Sequence, residues 1–442
     1  MPRFFIVDPS LRDMRGHHFA LSTAAARSAA SAGFEPWWLC AKSAGPDFES
    51  PHARVHRTFG ATMYENYRLV NEQAGNGSDR NFLPRVLSRI ARVGKSEPPL
   101  QVPAAQVDQA TTFAREFLLA MREIDFTPRD RILIHTADGA TFAALASLAG
   151  EISMDEAPIF HVATPYDPVG IMPNRKNADE VLHSVRSYFD RGFLDRKIFL
   201  YGENGLLAKH LASLWSVPVR ALPLPAAAAR EEEIAAALAY RREQLGVDDD
   251  AFLAISLGSA RIEKGFDLFP DIIRSAEIKG ANLSTKLKFV LHASPQIIGR
   301  HPMIASTLKE LRRFPKQLVK LLLAPLSEGD YRSLLMACDG VVLPYRRQEY
   351  LYRSSGIVTE AIAAGKILIA TEGSYPGEAA TEAGGLVAST PREFGAAIVR
   401  AAIEKDRFVA SAIAARDNLL IENAANDYVP KLLRSEALAH GQ

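Results

Sequence analysis

Short apolar runs alternate along the chain with longer amphipathic or Ala-rich stretches. Phe4 to Val7 is apolar, Gly16-His17-His18 opens an Ala-rich segment that stops near Gly33, and Pro36 to Cys40 is apolar again. Uninterrupted apolar runs of this length mark strands buried on both faces, and helical connections between them make β-α-β units of a parallel sheet. Residues 55–125 break this rhythm with much helix-like pattern and few strand-like runs, so they predict a helical elaboration. Strands are predicted again at Arg131–His135, Pro158–Val162, Lys197–Tyr201 and Val217–Leu222, with helices at Phe142–Ala149, Asp179–Asp190 and Asn204–Trp215 between them.

Pro223-Leu224-Pro225 and an Ala/Glu-rich helix ending before Gly246 separate this succession from a second one. There, strands are predicted at Phe252–Leu257, Leu287–His292, Val319–Ala324, Cys338–Leu343 and Lys366–Thr371, with helices at Phe266–Ser275, Glu328–Ala337 and after Ser355. The pattern therefore predicts an α/β protein of two doubly wound domains, 1–225 and 226–442. The final helices, from Pro391 to Arg416 and beyond Tyr428, are predicted to surround the second domain, with the last crossing back to the first. A length of 442 residues with 48% hydrophobic content suits two such cores.

Charge narrows the function classes. The 52 basic and 51 acidic side chains nearly cancel, which removes any global electrostatic case for nucleic acid, so an anion site has to be local. Cys40 and Cys338, far apart and both in apolar runs, read as core residues of a reduced protein. The N-terminus runs straight into a strand, and no apolar run reaches the ~18 residues that cross a bilayer. A cytoplasmic location is expected. Phe82 to Val93 adds one qualification, because Arg85, Arg89 and Arg92, extended by Lys95, form a basic face opposite Leu83, Val86, Leu87, Ile90 and Val93. Such a helix over 82–95 is either solvated or rests on the inner face of an anionic membrane. No pattern specifies an oligomeric state.

Open α/β sheets bind ligands at the carboxyl ends of their strands, so the loops there carry the chemistry. In the first half these loops are Asp8–His17, with Arg12, Arg15 and Gly16, then His135–Gly139, then Ala163–Pro168. In the second half, Gly258-Ser259-Ala260-Arg261-Ile262-Glu263-Lys264-Gly265 follows its first strand and brings two cations to the place where such sheets receive phosphate. After the strand ending at Leu343 come Arg346, Arg347 and Arg353, then Ser354-Ser355-Gly356 leading into an Ala-rich helix. Guanidinium groups present planar paired donors to phosphate, and the first turn of a helix adds free amides and the positive end of its dipole. Glu360, one turn into that helix, can accept hydrogen bonds from sugar hydroxyls. Gly373-Ser374-Tyr375-Pro376-Gly377-Glu378 is either a further loop at the site or a turn. The chain has no G-x-x-x-x-G-K-[ST] loop and no G-x-G-x-x-G fingerprint, which speaks against P-loop kinase and NAD-binding readings. Asp248-Asp249-Asp250 precedes its strand, at the wrong end for a metal site, and no histidine pair has zincin spacing.

Gly258 to Gly265 together with Ser355-Gly356-Ile357-Val358-Thr359-Glu360-Ala361-Ile362-Ala363-Ala364-Gly365-Lys366 resembles the nucleotide-sugar half of retaining GT-B glycosyltransferases, most closely the large group-4 type family. The agreement at residue level covers about 246–380, and the order of elements agrees over most of 1–425. The resemblance implies two Rossmann-like domains facing each other across a cleft. It implies a nucleoside-diphosphate sugar as donor and a glycan, lipid-linked or small-molecule acceptor, with retention of configuration and no metal or other cofactor. Arg261 and Lys264 would hold the diphosphate as catalytic cations. Gly258, Ser259, Arg353, Ser355, Gly356 and Ile357 would surround it, and Glu360 would bind the ribose. In the family a glutamate eight positions before the ribose ligand contacts the donor sugar; here Tyr352 stands there, with Tyr352 or Arg353 as the replacement and Glu349 out of register. The histidine that mannosyl-transferring relatives place after a first-domain strand is missing at Thr164–Asp167, and His161 reads as core. Asp167, Gly16, His17, His18 and His135 are the remaining candidates on the acceptor side. A nucleotide-sugar epimerase of the same fold and a regulatory or scaffold subunit that has lost transfer chemistry are the alternatives.

Overall fold

The computed structural model describes residues 1–14, 16–60, 105–168, 175–229, 231–248, 250–281, 286–293 and 302–439. Among these residues the strands are β1 (Arg3–Val7), β2 (Glu35–Ala41), β3 (Arg54–Phe59), β4 (Arg131–Ile134), β5 (Ile159–Thr164), β6 (Ile198–Gly202), β7 (Arg220–Ala221), β8 (Phe252–Ser256), β9 (Leu287–His292), β10 (Val319–Leu322), β11 (Gly340–Leu343), β12 (Ile367–Thr371) and β13 (Leu386–Ala388). They form a seven-stranded sheet in the order β3-β2-β1-β4-β5-β6-β7 and a six-stranded sheet in the order β10-β9-β8-β11-β12-β13. Neighbouring strands pair in parallel; Ile6, for example, lies between Trp38 and Leu133.

The uninterrupted apolar runs are explained by burial on both faces. On β1, Phe5 and Val7 join Ile132, Ile134 and Phe142 on one side, while Phe4 and Ile6 join Trp38, Leu133 and Phe199 on the other. In the second sheet Phe252 and Ala254 pack with Phe269 and Ile398, and Leu253 and Ile255 with Leu334 and Val358. Side chains of successive strand residues point to opposite faces, so each central strand serves two cores and has no polar face to spare.

Three elements differ from expectation. β3 lies in the stretch expected to be helical; its sequence RVHRTF is polar because it is an edge strand, with only Thr58 and Phe59 buried. β13 is another short edge strand. The Gly373–Glu378 stretch is no simple turn, since Ser374 caps a helix from Tyr375 to Glu382, with Pro376 in the first turn where its missing N–H costs nothing. The basic segment 82–95 lies outside the described residues.

The connection after β7 and the end of the chain run together. Ala226 N donates to Asn423 O at 2.8 Å, and Ala425 N donates back to Ala226 O at 3.2 Å. The helix Tyr428–Ala439 then packs against the helix Gly16–Ser31, and Tyr428, Val429 and Leu432 enter the same core cluster as Phe4, Ile6 and Trp38.

Candidate active site

All strands of a parallel sheet end on one edge, and the loops leaving those edges in the two sheets meet. Ser354 N, after β11, donates to Pro165 O, after β5, at 2.9 Å. The residues expected to bind ligand gather around this junction in two groups.

On the side of the second sheet, Gly258 follows β8 with φ +102°, a conformation open to glycine, and a Cβ there would stand 3.1 Å from Lys264 Nζ. The chain then turns back so tightly at Gly265, φ +65°, that a Cβ would lie 1.8 Å from Pro344 O. Arg346 N donates to Glu263 O at 2.8 Å, which ties this loop to the one after β11. Lys264 is thereby held with its amine 5.5 Å from the centre of the Tyr345 ring. Its pKa is pushed down to about 8, first by burial and then by the positive charges of Arg261 and Arg353. Arg261 makes a long 3.5 Å contact to Glu263, and its buried Nε–H has no partner among the described residues. Lys264, Arg261 and Arg353 thus act electrostatically on one another, with Glu263 and Glu360 opposing them.

The helix Gly356–Ala363 faces this group. Ser355 is its N-cap but its side chain makes no capping bond, leaving the first-turn amides at Gly356 and Ile357 to another acceptor. Glu360 is half-buried with a raised pKa, chiefly from burial; Tyr331 O–H donates to it, and a Cβ on Gly356 would be 3.8 Å from its Oε1. Glu360, Lys264, Arg261 and Arg353 therefore share one locality. Ser259, next to Gly258, is half-buried on the same loop. Arg346 and Arg347 do not join the cations: Arg346 pairs with Asp267, and Arg347 Nε donates to Gly373 O at 3.1 Å.

On the side of the first sheet, Asp8 is fully buried and accepts from His18 Nδ1 at 2.8 Å. Its carboxyl is held at about 2, because the paired His18 and nearby His135 outweigh the opposing effect of burial, which is the largest single influence. His135 lies below the surface, completely buried, 3.0 Å from Ser22 Oγ and 3.4 Å from Asp8, with a pKa lowered to about 4 by burial. It supports the cleft floor and does not line it, a correction to its place among acceptor contacts. His18 is 9% exposed, slightly more than His135 and Asp8. Gly16 begins its helix at φ +74° with open space where a Cβ would be. The side chain of His17 lies outside the described residues. His161 is core, donating from Nε2 to Glu436 at 2.9 Å and accepting from Tyr201 O–H at 3.0 Å.

Asp167 and Tyr352 meet each other's neighbourhood at the junction. His210 Nε2 donates to Asp167 Oδ2 at 2.8 Å, and the His210 ring stacks on Tyr352 with centroids 4.0 Å apart. Glu203, buried after β6 with its pKa raised to about 7 by burial, accepts from Ser354 Oγ. Neither Glu203 nor His210 has a motif around it. The available signal was positional, because Glu203-Asn204 is a polar pair directly after an apolar strand, at the edge where such sheets bind ligands.

Two facing parallel sheets of this order, with their ligand edges opposed, define the GT-B fold of glycosyltransferases. No family model and no curated protein matches the chain. Among solved structures it is similar to an E. coli trehalose-6-phosphate structure bound with UDP-2-fluoro glucose, with TM-score 0.68, 12% identity and 98% of both chains covered. It is also similar to the sucrose-phosphate synthase of Thermosynechococcus elongatus, with TM-score 0.64, 12% identity and 98% of both chains covered. A UDP-forming trehalose-phosphate synthase from Burkholderia xenovorans gives TM-score 0.64 at 14% identity over 99% of both chains.

Proposed function

We propose that this protein is a retaining glycosyltransferase that moves a sugar from a nucleoside-diphosphate sugar to an acceptor. The observation that carries the reading is the convergence of Arg261 and Lys264, with Arg353, on an uncapped helix N-terminus that has Glu360 one turn inside it. That is a diphosphate site beside a ribose site. The donor's C1–O bond to the diphosphate breaks as the acceptor oxygen bonds to C1 on the same face, and the leaving phosphate oxygen takes the acceptor's proton. Arg261, Lys264 and the amides of Gly356 and Ile357 stabilise the charge that develops on the departing diphosphate, so protein cations supply the neutralisation for which other transferases use a metal.

Uridine is the base we favour and a small phosphorylated sugar the acceptor class, because similar structures carry UDP-2-fluoro glucose or are named as phosphate-sugar synthases. His18, held from below by the buried Asp8, supplies a polar group on the acceptor side next to Gly16. We place the reaction in the cytoplasm; among the described residues no helix is long and apolar enough to cross a membrane.

A thermal-shift screen with UDP, GDP, ADP and their sugars tests the donor site, since a ligand at one hundred times its Kd adds about 2.7 kcal/mol to the native state. One nucleotide series is expected to raise the unfolding midpoint, and Lys264→Ala or Arg261→Ala to abolish that rise and sharply lower turnover. Product analysis with labelled donor and a panel of sugar phosphates then separates transfer from epimerisation. Near-normal turnover in either folded variant sinks the assignment. Nucleotide binding with neither transfer nor donor hydrolysis would favour a regulatory subunit.

A further inference from the structure

The segment Tyr352–Ser354 follows β11 in the second sheet, yet its contacts lie on the first. Tyr352 packs against the core cluster of the first sheet and stacks at 12° on His210. Its carbonyl accepts from Asn204 Nδ2 at 2.9 Å. Two residues on, Ser354 N donates to Pro165 O at 2.9 Å, and the single Oγ–H is shared between buried Glu203 and Pro165 O, 3.1 Å from Oγ. Between them the Arg353 guanidinium lies 5.8 Å from the ring of Tyr166 in the first domain and 5.3 Å from that of Tyr350 in the second.

We propose that Tyr352 and Ser354, gripped by His210, Asn204 and Glu203, form a clamp that fixes the spacing of the two domains and aims both Arg353 and the first-turn amides of Gly356–Ala363 at the donor. These are positioning residues, and their role rests on the reading of that locality as a donor site. Gly356 comes two residues after Ser354, so an anchored Ser354 leaves the helix start little freedom of direction. Arg353 is the cation whose environment comes from both domains; releasing the clamp would swing it away from Lys264 while leaving Lys264 and Arg261 on their own rigid loop. Tyr352, at the position expected to touch the donor sugar, is a domain contact.

Spin labels at Glu151→Cys and Glu277→Cys, exposed residues of the two domains, report the spacing by pulsed electron resonance, with Cys40 and Cys338 buried and unlabelled. The otherwise wild-type protein is expected to give one narrow distance distribution. His210→Ala/Ser354→Ala should broaden and lengthen it and weaken UDP binding about tenfold, while His210→Phe, which retains the ring stack, should keep a narrow distribution. A raised KM for donor with a smaller fall in kcat is the kinetic counterpart. An unchanged distribution in the folded double variant overturns the clamp; if that variant does not fold, Ser354→Ala alone, which removes one hydroxyl, decides it on the same readout. A wild-type protein that binds none of UDP, GDP and ADP overturns the donor reading, and the distances still decide the clamp.

Discussion

Lys264 concentrates the electrostatics of the site in one amine. Burial and two neighbouring guanidinium groups make its proton costly, so it titrates near 8 where an ordinary lysine titrates near 10.5. A bound diphosphate reverses the sign of that environment and raises the pKa. Below pH 7 the free amine already holds its proton, whereas at pH 8 about half of the molecules must take one up on binding. Donor affinity is therefore expected to fall as pH rises through 8. Calorimetry with a nucleotide sugar in two buffers of different ionisation enthalpy should give different apparent heats at pH 8 and equal heats at pH 6. Equal heats at both would show that Lys264 does not meet the anion. The cations and Glu360 were legible because each lies within a short, ordered run at a strand end. Glu203 and His210 were not singled out, because their partners are distant in sequence; Glu203 and Ser354 are 151 residues apart, and His210 and Asp167 are 43 apart.

At the scale of elements, the loop after β8 is joined to the beginning of the loop after β11, at Pro344 and Arg346. Gly265 lets the loop after β8 press against the carbonyl of Pro344, and Arg346 N bonds back to Glu263 O. Gly265→Ala has no room to relax, since the obstacle is backbone at 1.8 Å and φ is positive. The variant is expected to lose about 3 kcal/mol or more of stability, read as a lower denaturant midpoint, whereas Ser259→Ala on the same loop should not. Central strands and their helices were readable from periodicity because burial on both faces writes an unbroken apolar run. Edge strands carry no such mark: β3 has only Val55 and Phe59 as apolar residues among Arg54, His56, Arg57 and Thr58, and β13 has three residues. The helix Tyr375–Glu382 was obscured by Pro376 and Gly377, which read as a turn, yet Gly377 lies where a Cβ would meet Thr371 O at 2.1 Å. Its glycine serves close packing of helix on strand.

For the whole molecule, the last helix ties the end of the chain to the first sheet. Glu436 accepts from Arg131 Nε at 2.8 Å and from buried His161 at 2.9 Å, joining residues 305 and 275 positions apart. Glu436→Ala would strand a guanidinium and an imidazole in a largely buried place, at a cost of about 3 kcal/mol. Chemical denaturation should show a lowered midpoint for the transition that includes the first sheet. A midpoint within error of wild type would mean that the contact adds nothing to that core. The contribution of Tyr428, Val429 and Leu432 to the core beneath Phe4 and Ile6 also has a temporal side. During synthesis β1 emerges long before the helix Tyr428–Ala439, so the part of the first sheet's core that this helix completes, beside the helix Gly16–Ser31, stays uncovered while the second domain emerges. The domain made earliest is completed latest, and the nascent chain must keep an apolar surface away from other chains for most of its production.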